Sequence, residues 1–114
     1  MIDPGIGFGK TVEQNFALLA RQRELLALGY PLLAGWSRKS SLGAVTGLAV
    51  GERLLPSVAA AVLAAERGAR VLRVHDVRAT VQALVVWQAM ADADADADAD
   101  TNANANAADK LENP

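Results

Sequence analysis

One pattern occurs three times along the chain: a short apolar segment, a polar or glycine-rich loop, and an amphipathic helix. Asp3, Lys39 and His75 occupy the same place in this pattern, at intervals of 36 residues. Neighbouring parallel strands need a crossover connection, usually a helix, so the pattern predicts parallel βα units. A βα unit of a (β/α)8 barrel averages about 31 residues. We therefore predict an α/β fold with a parallel sheet, a partial TIM barrel of about three units.

The first predicted helix follows a capping box, because Thr11 stands three residues before Gln14. Gly29 is placed to end it. The apolar stripe expected to face the core consists of Leu18, Leu19, Leu25 and Leu26.

Two further helices are predicted over about residues 52–67 and 76–90, after a loop at 36–51. Proline is compatible with the second helix only if Pro56 lies in its first turn. Asp76 is a suitable N-cap for the third. The expected core-facing stripes are Leu54, Val58, Ala61, Val62 and Ala65 in the second helix, and Val77, Val81, Leu84 and Val85 in the third.

The end of the chain differs in composition from the rest. Residues 91–114 form an Ala-Asp and then Ala-Asn repeat with almost nothing to bury. Such a composition does not offset the entropy lost on ordering, so we predict a disordered acidic tail. The predicted domain organisation is a folded part at residues 1–90 and a low-complexity tail at 91–114.

Charge and composition exclude several classes of protein. Residues 1–90 carry a formal charge of +4 and the tail −6. The mildly basic body suits small anionic ligands but is too weakly basic, and too poor in aromatic residues, for nucleic acid. The chain has no cysteine, no signal peptide pattern and no apolar run of about 18 residues. We expect a cytoplasmic location and no membrane contact.

The glycine-rich loop at residues 3–11 resembles nucleotide-binding loops only in part. A P-loop would need glycine where Pro4 stands, and a dinucleotide fingerprint would need glycine where Lys10 stands. Three glycines near Phe8, beside an acid at a strand end, suit a backbone that closely follows a flat ligand. A flexible turn is the alternative interpretation.

Two further clusters follow the second and third apolar segments. Residues 35–40, GWSRKS, contain two cations and two hydroxyls, and residues 73–76 read RVHD. In an extended segment Arg73 and His75 share one face, where they could bind an anion. The alternatives are a solvated charged loop at 35–40 and a structural histidine at 75. All these residues follow strand ends, where α/β folds have their active sites.

Taken together, DPGIGFGK, GWSRKS and RVHDV resemble the motifs of dihydropteroate synthase in their order and spacing. The similarity covers residues 1–90 and implies the last three βα units of that family's barrel. It implies a folate-pathway transferase that joins a pterin pyrophosphate to p-aminobenzoate and releases pyrophosphate. That reaction needs no protein nucleophile, so the resemblance implies catalysis by positioning and by stabilisation of the leaving anion.

The resemblance also implies roles for individual residues. Asp3, Lys39 and Arg73 would bind the pterin, and Arg73 and His75 the pyrophosphate. Phe8 would border the p-aminobenzoate site, and Ser37 or Ser40 would contact the carboxylate of that substrate.

Further expectations concern cofactor and assembly. Mg²⁺ would assist the reaction, with its ligand in an N-terminal part that this chain lacks and none in the chain itself. The complete protein would be a homodimer. Two alternatives stay open: a non-catalytic truncated fragment, and the pterin-binding domain of a methyltransferase.

Overall fold

Three stretches of backbone run parallel to one another. A computed structural model describes residues 1–103, with side chains to residue 97. Strands β1 (Leu32–Ala34) and β2 (Ala69–Leu72) form a two-stranded parallel sheet. Ile2 extends it on the other side of β1 through an isolated parallel bridge to Leu32. The predicted parallel α/β arrangement is therefore confirmed, although the first strand is reduced to this bridge.

Hydrogen bonds across the backbone set the register of the three stretches. The Ile2 N–H donates to the Pro31 carbonyl, and the Leu33 N–H donates to the Ile2 carbonyl, both at 2.7 Å. A shift in register lies between Leu32, which pairs with Ala69, and Leu33, which pairs with Val71. All three stretches consequently end at the same edge of the sheet.

Four α-helices and two 3₁₀ segments connect and follow the strands. The α-helices are α1 (Val12–Ala20), α2 (Ser40–Thr46), α3 (Leu54–Glu66) and α4 (Val77–Ala103). The 3₁₀ segments are Gln22–Leu28 and Val50–Glu52. The loop predicted at 36–51 therefore contains a helix, α2, that was not predicted. The glycines and the short β-branched run of this segment do not form a clear amphipathic pattern.

Helix α1 begins as the sequence predicts. The Gln14 N–H donates to the Thr11 hydroxyl, and the Thr11 N–H donates to the Gln14 side chain, which completes the capping box. Helix α1 ends at Ala20, and the 3₁₀ segment Gln22–Leu28 continues the chain to the predicted end at Gly29, which has a left-handed φ of 81°. Of the predicted stripe only Leu19 is fully buried, and Leu26 is exposed.

The core lies between the sheet and the first three helices. It is built around Trp36, whose side chain is only 2% exposed, and Phe16 packs against it with ring centroids 5.0 Å apart. Other buried members are Ile6, Leu19, Ala34, Leu42, Ala60 and Ala64. Burial of these side chains anchors both the glycine-rich loop, through Ile6, and the segment that follows β1, through Trp36.

Helix α3 faces the core with small residues. Its buried positions are Ser57, Ala60, Ala61, Ala64 and Ala65. The predicted stripe is correct at Ala61 and Ala65, whereas Leu54 is exposed and Val58 is only partly buried. Small side chains let a helix approach its neighbours closely. The stripe was predicted from hydropathy, which takes no account of side-chain size. Pro56 lies in the first turn, as predicted.

A buried amide joins the 3₁₀ segment at Gln22–Leu28 to the end of α3. The Gln22 side chain, 1% exposed, donates from Nε2 to the Ala64 carbonyl at 3.0 Å and the Arg67 carbonyl at 3.3 Å. Both acceptors are near the C-terminus of α3, where helix carbonyls lack partners within the helix. Gln22 therefore stabilises the packing on the side of the domain opposite the carboxyl ends of the strands.

Helix α4 differs from expectation in two respects. The valines predicted to face the core at its start, Val77 and Val81, are exposed. The helix also continues to Ala103, whereas we predicted disorder from residue 91. Alanine has the highest helix propensity, and neither glycine nor proline interrupts residues 77–103, so no stop signal precedes the repeat. The predicted disorder over 104–114 lies outside the described residues.

Internal contacts divide the chain into two compact units, Met1–Leu84 and a second unit that begins at Val85. The first contains the sheet, α1–α3 and the start of α4. Within the described part of the second, the Gln88 side chain donates to Asp92 one helical turn later, at 2.8 Å. None of the helices in the described part combines the length and the hydrophobicity that crossing a membrane requires.

Loss of the capping box should destabilise α1 measurably. We expect Thr11→Ala to lower the free energy of unfolding by about 1 kcal/mol, because the Gln14 N–H loses the Thr11 hydroxyl as its partner. Thr11→Ser keeps the hydroxyl and should be close to wild type. Urea unfolding followed by circular dichroism measures both variants. Equal stability of Thr11→Ala and Thr11→Ser would contradict the assigned role of the hydroxyl.

Candidate functional site

The polar residues predicted to carry function lie at the carboxyl edge of the sheet. Asp3 directly follows the bridge residue Ile2, and Arg73 directly follows β2. The segment Ser37–Lys39 comes shortly after β1 and leads into α2. Because the strands are parallel, these three loops are neighbours although they are far apart in the sequence.

Asp3 and Arg73 form an ion pair across the edge. Arg73 Nη2 lies 3.5 Å from Asp3 Oδ2, and both side chains are partly exposed. The other carboxylate oxygen, Oδ1, accepts a hydrogen bond from the Gly5 N–H at 2.8 Å. The Asp3 carboxylate is thus held by one backbone and one side-chain partner, with acceptor capacity left over.

The Arg73 side chain passes directly over Gly35. A Cβ atom added to Gly35 would lie 2.6 Å from Arg73 Nη2, closer than such atoms approach. Glycine at this position therefore makes room for the guanidinium.

Lys39 lies between the glycine-rich loop and Arg73. Its Nζ donates to the Ile6 carbonyl and lies 4.8 Å from the centre of the Phe8 ring, in cation–π geometry. Burial lowers the pKa of Lys39 from the ordinary value of 10.5, the Arg73 and Lys10 charges lower it further, and the Asp3 charge opposes them. Asp3, Lys39 and Arg73 are therefore close enough to influence one another.

His75 is bound to Ser37. The Ser37 hydroxyl lies 2.8 Å from His75 Nδ1 and accepts a hydrogen bond from the His75 backbone N–H at 3.2 Å. Ser37 is buried and His75 is exposed. Because Ser37 engages Nδ1, the ring directs its other nitrogen, Nε2, away from Ser37.

Ser40 and Phe8 are both accessible to solvent. Ser40 is the first residue of α2 and is exposed. The Phe8 side chain is 68% exposed, although Lys39 lies over its ring. An exposed ring and an exposed hydroxyl can each contact a ligand without first breaking contacts with the buried core.

Arg38 holds the segment between Ser37 and Lys39 in an unusual conformation. It has a φ of 58°, the one positive value among non-glycine residues in the described part of the chain. Its N–H donates to the Ser57 hydroxyl at 2.8 Å, and its carbonyl accepts from Arg53 Nη1 at 3.0 Å. Its guanidinium donates to Asp76 Oδ1 at 3.1 Å. These contacts compensate the strain of a left-handed backbone.

Three further residues support the site and were not predicted from the sequence: Asn15, Arg53 and Ser57. Asn15 is 2% exposed and binds the glycine-rich loop and α2. One signal was available for it: Asn15, Leu19 and Gln22 follow helical spacing, so a buried leucine shares its face. Arg53 and Ser57 carry no comparable signal, since their partners are backbone atoms far along the chain.

The arrangement can bind a planar, partly anionic molecule. A carboxylate, an ammonium and a guanidinium lie together at one edge, and a histidine is nearby. Within residues 1–97, whose side chains are described, no three His, Cys, Asp or Glu residues are grouped to hold a metal ion.

Comparison with known proteins identifies the relatives of this chain. Residues 1–75 match the family model described as pterin binding enzyme. The dihydropteroate synthase of Haemophilus influenzae is 52% identical over 90 residues, which are 79% of this chain and 33% of that protein. The Escherichia coli enzyme is 48% identical over 89 residues. The chain thus spans about a third of the length of these curated relatives.

Solved structures show the same relationship. The chain is similar to dihydropteroate synthase from Xanthomonas albilineans in complex with 7,8-dihydropteroate, with a TM-score of 0.77 and 58% identity. The match covers 78% of this chain and 34% of that one. A second structure of the Xanthomonas protein, with 4-aminobenzoic acid, gives a TM-score of 0.76. The predicted partial TIM barrel is confirmed.

The electrostatic coupling around Lys39 predicts opposite effects for two substitutions. Arg73→Ala removes a cation and should raise the pKa of Lys39, whereas Asp3→Asn removes an anion and should lower it. NMR titration of the lysine Cε resonance measures both shifts. Glu13→Gln, an exposed change in α1, is the control and should have no effect.

The same lowered pKa predicts how stability depends on pH. Between the lowered value and 10.5 the unfolded chain binds more protons at Lys39 than the folded chain. The contribution of Lys39 to the free energy of unfolding should therefore rise with pH across this interval. In the NMR titration, shifts of the Lys39 pKa in the same direction for Arg73→Ala and Asp3→Asn would contradict the placement of Lys39 near both charges.

Proposed function

Because this chain belongs to the pterin-binding enzyme family, we propose that it forms the C-terminal third of a dihydropteroate synthase. The observation that carries the proposal is the meeting of Asp3, Lys39 and Arg73 at the carboxyl edge of a parallel sheet. The named relatives support it, since each is a dihydropteroate synthase of about three times the matched length. The reaction joins a pterin pyrophosphate to p-aminobenzoate and releases pyrophosphate.

The pterin would be bound by the carboxylate, the ammonium and the guanidinium. The Asp3 carboxylate accepts hydrogen bonds from the guanidine-like edge of the pterin, a pairing that favours two parallel bonds. Lys39 donates to ring heteroatoms of the pterin. Arg73, for which Gly35 leaves room, lies across the flat face of the ring. The Asp3–Arg73 contact holds both groups near these positions before the substrate arrives.

The pyrophosphate would be bound by Arg73 and His75. In the reaction the amine nitrogen of p-aminobenzoate attacks the exocyclic methylene carbon of the pterin, and the bond from that carbon to the pyrophosphate oxygen breaks. Negative charge gathers on the departing group, and a guanidinium with a histidine N–H stabilises it. His75 would donate from Nε2, because Ser37 engages Nδ1.

The p-aminobenzoate site would lie beside Phe8, with a serine at the substrate carboxylate. Ser37 and Ser40 are the two candidates. Ser37 is buried and already bound to His75, whereas Ser40 is exposed at the start of α2. The geometry therefore favours Ser40 as the hydroxyl that contacts the carboxylate, and Ser37 as the residue that orients His75.

The proposal also covers the magnesium ion, the oligomeric state and the cellular location of the complete enzyme. A Mg²⁺ ligand would come from the part of the enzyme that these relatives have beyond the matched third. A homodimer in the cytoplasm is the expected state of the complete enzyme.

The exposed apolar surface at the start of α4 supports a larger protein. Val77 and Val81 line a groove of about 470 Å³ with Leu72 and Leu84, next to the free edge of β2. An unpaired edge strand beside an apolar groove is usually covered in a stable protein. In a complete barrel the first βα unit would close the ring against this edge.

A chimera would test whether the chain serves as part of a synthase. Residues 1–90 would replace the matching 90 residues of the Haemophilus influenzae enzyme, to which they are 52% identical. We expect dihydropteroate formation from the chimera and none from the 114-residue chain alone, because a third of the barrel lacks the remaining contacts. A folded but inactive chimera would contradict the proposal and favour a non-catalytic chain.

Charge removal at the proposed site should reduce activity selectively. In the chimera, Lys39→Ala or Arg73→Ala should lower kcat/KM by about 30- to 1,000-fold, equivalent to about 2–4 kcal/mol of lost transition-state binding. Arg70→Ala is a matched control, since Arg70 lies near the start of β2, beside Pro31 and Tyr30, whereas Arg73 follows the end of that strand. Unchanged kcat/KM in both site variants would disprove the assigned roles.

A further inference from the structure

Asn15 is a buried polar residue that the proposed reaction does not use. Its side chain is 2% exposed, and it lies in the middle of α1, where a core helix normally presents an apolar residue. Burying an amide is unfavourable unless its donor and acceptor are both satisfied. The partners of Asn15 therefore indicate what the residue contributes.

Both ends of the Asn15 amide bind elements of the site. Oδ1 accepts the Gly7 N–H at 3.0 Å, and Nδ2 donates to the Ser41 hydroxyl at 2.8 Å. Gly7 is in the middle of the glycine-rich loop, and Ser41 is the second residue of α2, two positions after Lys39. One side chain thus joins the loop that carries Phe8 to the helix that follows Lys39.

The contact between this loop and Lys39 is close. Gly7 has a φ of 87°, and a Cβ added to it would lie 3.0 Å from Lys39 Cδ. Lys39 also donates to the Ile6 carbonyl and lies over the Phe8 ring. The buried Ile6 side chain and a hydrogen bond from the Phe8 N–H to the Gly5 carbonyl also anchor the loop. The Gly7–Asn15 hydrogen bond adds a link from the middle of the loop to α1 and so contributes to the distance between the loop and Lys39.

We propose that Asn15 is a positioning residue that holds the glycine-rich loop against the start of α2 and so sets the spacing between Phe8 and Lys39. The inference rests on the proposed function, in which Phe8 borders the p-aminobenzoate site and Lys39 binds the pterin. Asn15 touches neither substrate. It determines how far apart the two substrates are held, and reaction rates are sensitive to displacements of about 1 Å.

The first test uses the full 114-residue chain and no substrate. The Phe8 ring shifts the NMR resonances of the Lys39 ε-CH2 group, because Lys39 Nζ lies 4.8 Å from the ring centre. Asn15→Ala should abolish this ring-current shift, and Ser41→Ala, a milder change, should reduce it. Gln22→Ala is the matched control: it removes an equally buried amide that binds only α3 and the residue after it. It should leave the shift intact.

The second test separates positioning from general stability in the chimera. Asn15→Ala should raise KM for p-aminobenzoate about tenfold, while Gln22→Ala, with a comparable loss of Tm, should stay within about twofold of the unsubstituted chimera. If Asn15→Ala does not fold, Ser41→Ala is compared with Gln22→Ala in its place.

The outcomes of the two tests are distinct. Loss of the ring-current shift in Asn15→Ala or Ser41→Ala but not in Gln22→Ala supports the inference, even if the chimera makes no product. An inactive chimera would defeat the proposed function alone. Equal effects of the site and control variants on the ring-current shift, or on KM in an active chimera, would overturn the role of Asn15.

Discussion

The site depends on the parallel backbone pairing of Ile2, β1 and β2. Asp3 and Arg73 are 70 positions apart in the chain, and they meet because the two segments that precede them flank β1. The hydrogen bond from the Arg73 N–H to the Ala34 carbonyl, at 2.9 Å, fixes the end of β2 against β1. A slip of one residue would turn each side chain to the opposite face of the sheet. The ion pair between Asp3 and Arg73 is therefore a consequence of strand register and contributes little to it, since it is partly exposed.

Short polar side chains order the loops beyond the strand ends. Ser57 binds the Arg38 N–H, Ser37 binds His75, and Asn15 binds the Gly7 N–H. Each support is buried, and each holds a segment whose own side chains are exposed or charged. Apolar packing could not do the same, because the residues being positioned must stay accessible to a ligand. Hydrogen bonds from a buried layer fix the backbone and leave the charged groups free to bind.

Local signals in the sequence predicted part of this arrangement. Neighbouring residues govern three features that the structure has as predicted. These are the capping box at Thr11, the end of the helical segment at Gly29 and the position of Pro56. Helix α2 was missed because its stability comes from contacts with α1 and α3 and not from its own pattern. The stripes of α3 and α4 were misjudged because burial depends on which neighbour covers a face. The buried role of Asn15 likewise depends on Gly7 and Ser41, which no local rule connects to it.

The amino-acid sequence alone determines the order of apolar segments, loops and helices. It also determines the recurrence of Asp3, Lys39 and His75 at equal intervals. These features express periodicities of the backbone that any parallel βα unit must satisfy. The distances within the site do not follow from them. They arise from folding, which places Arg73 over Gly35, Lys39 between Ile6 and Phe8, and His75 against Ser37. Such contacts join residues separated by more than thirty positions, and their geometry is set by packing in three dimensions.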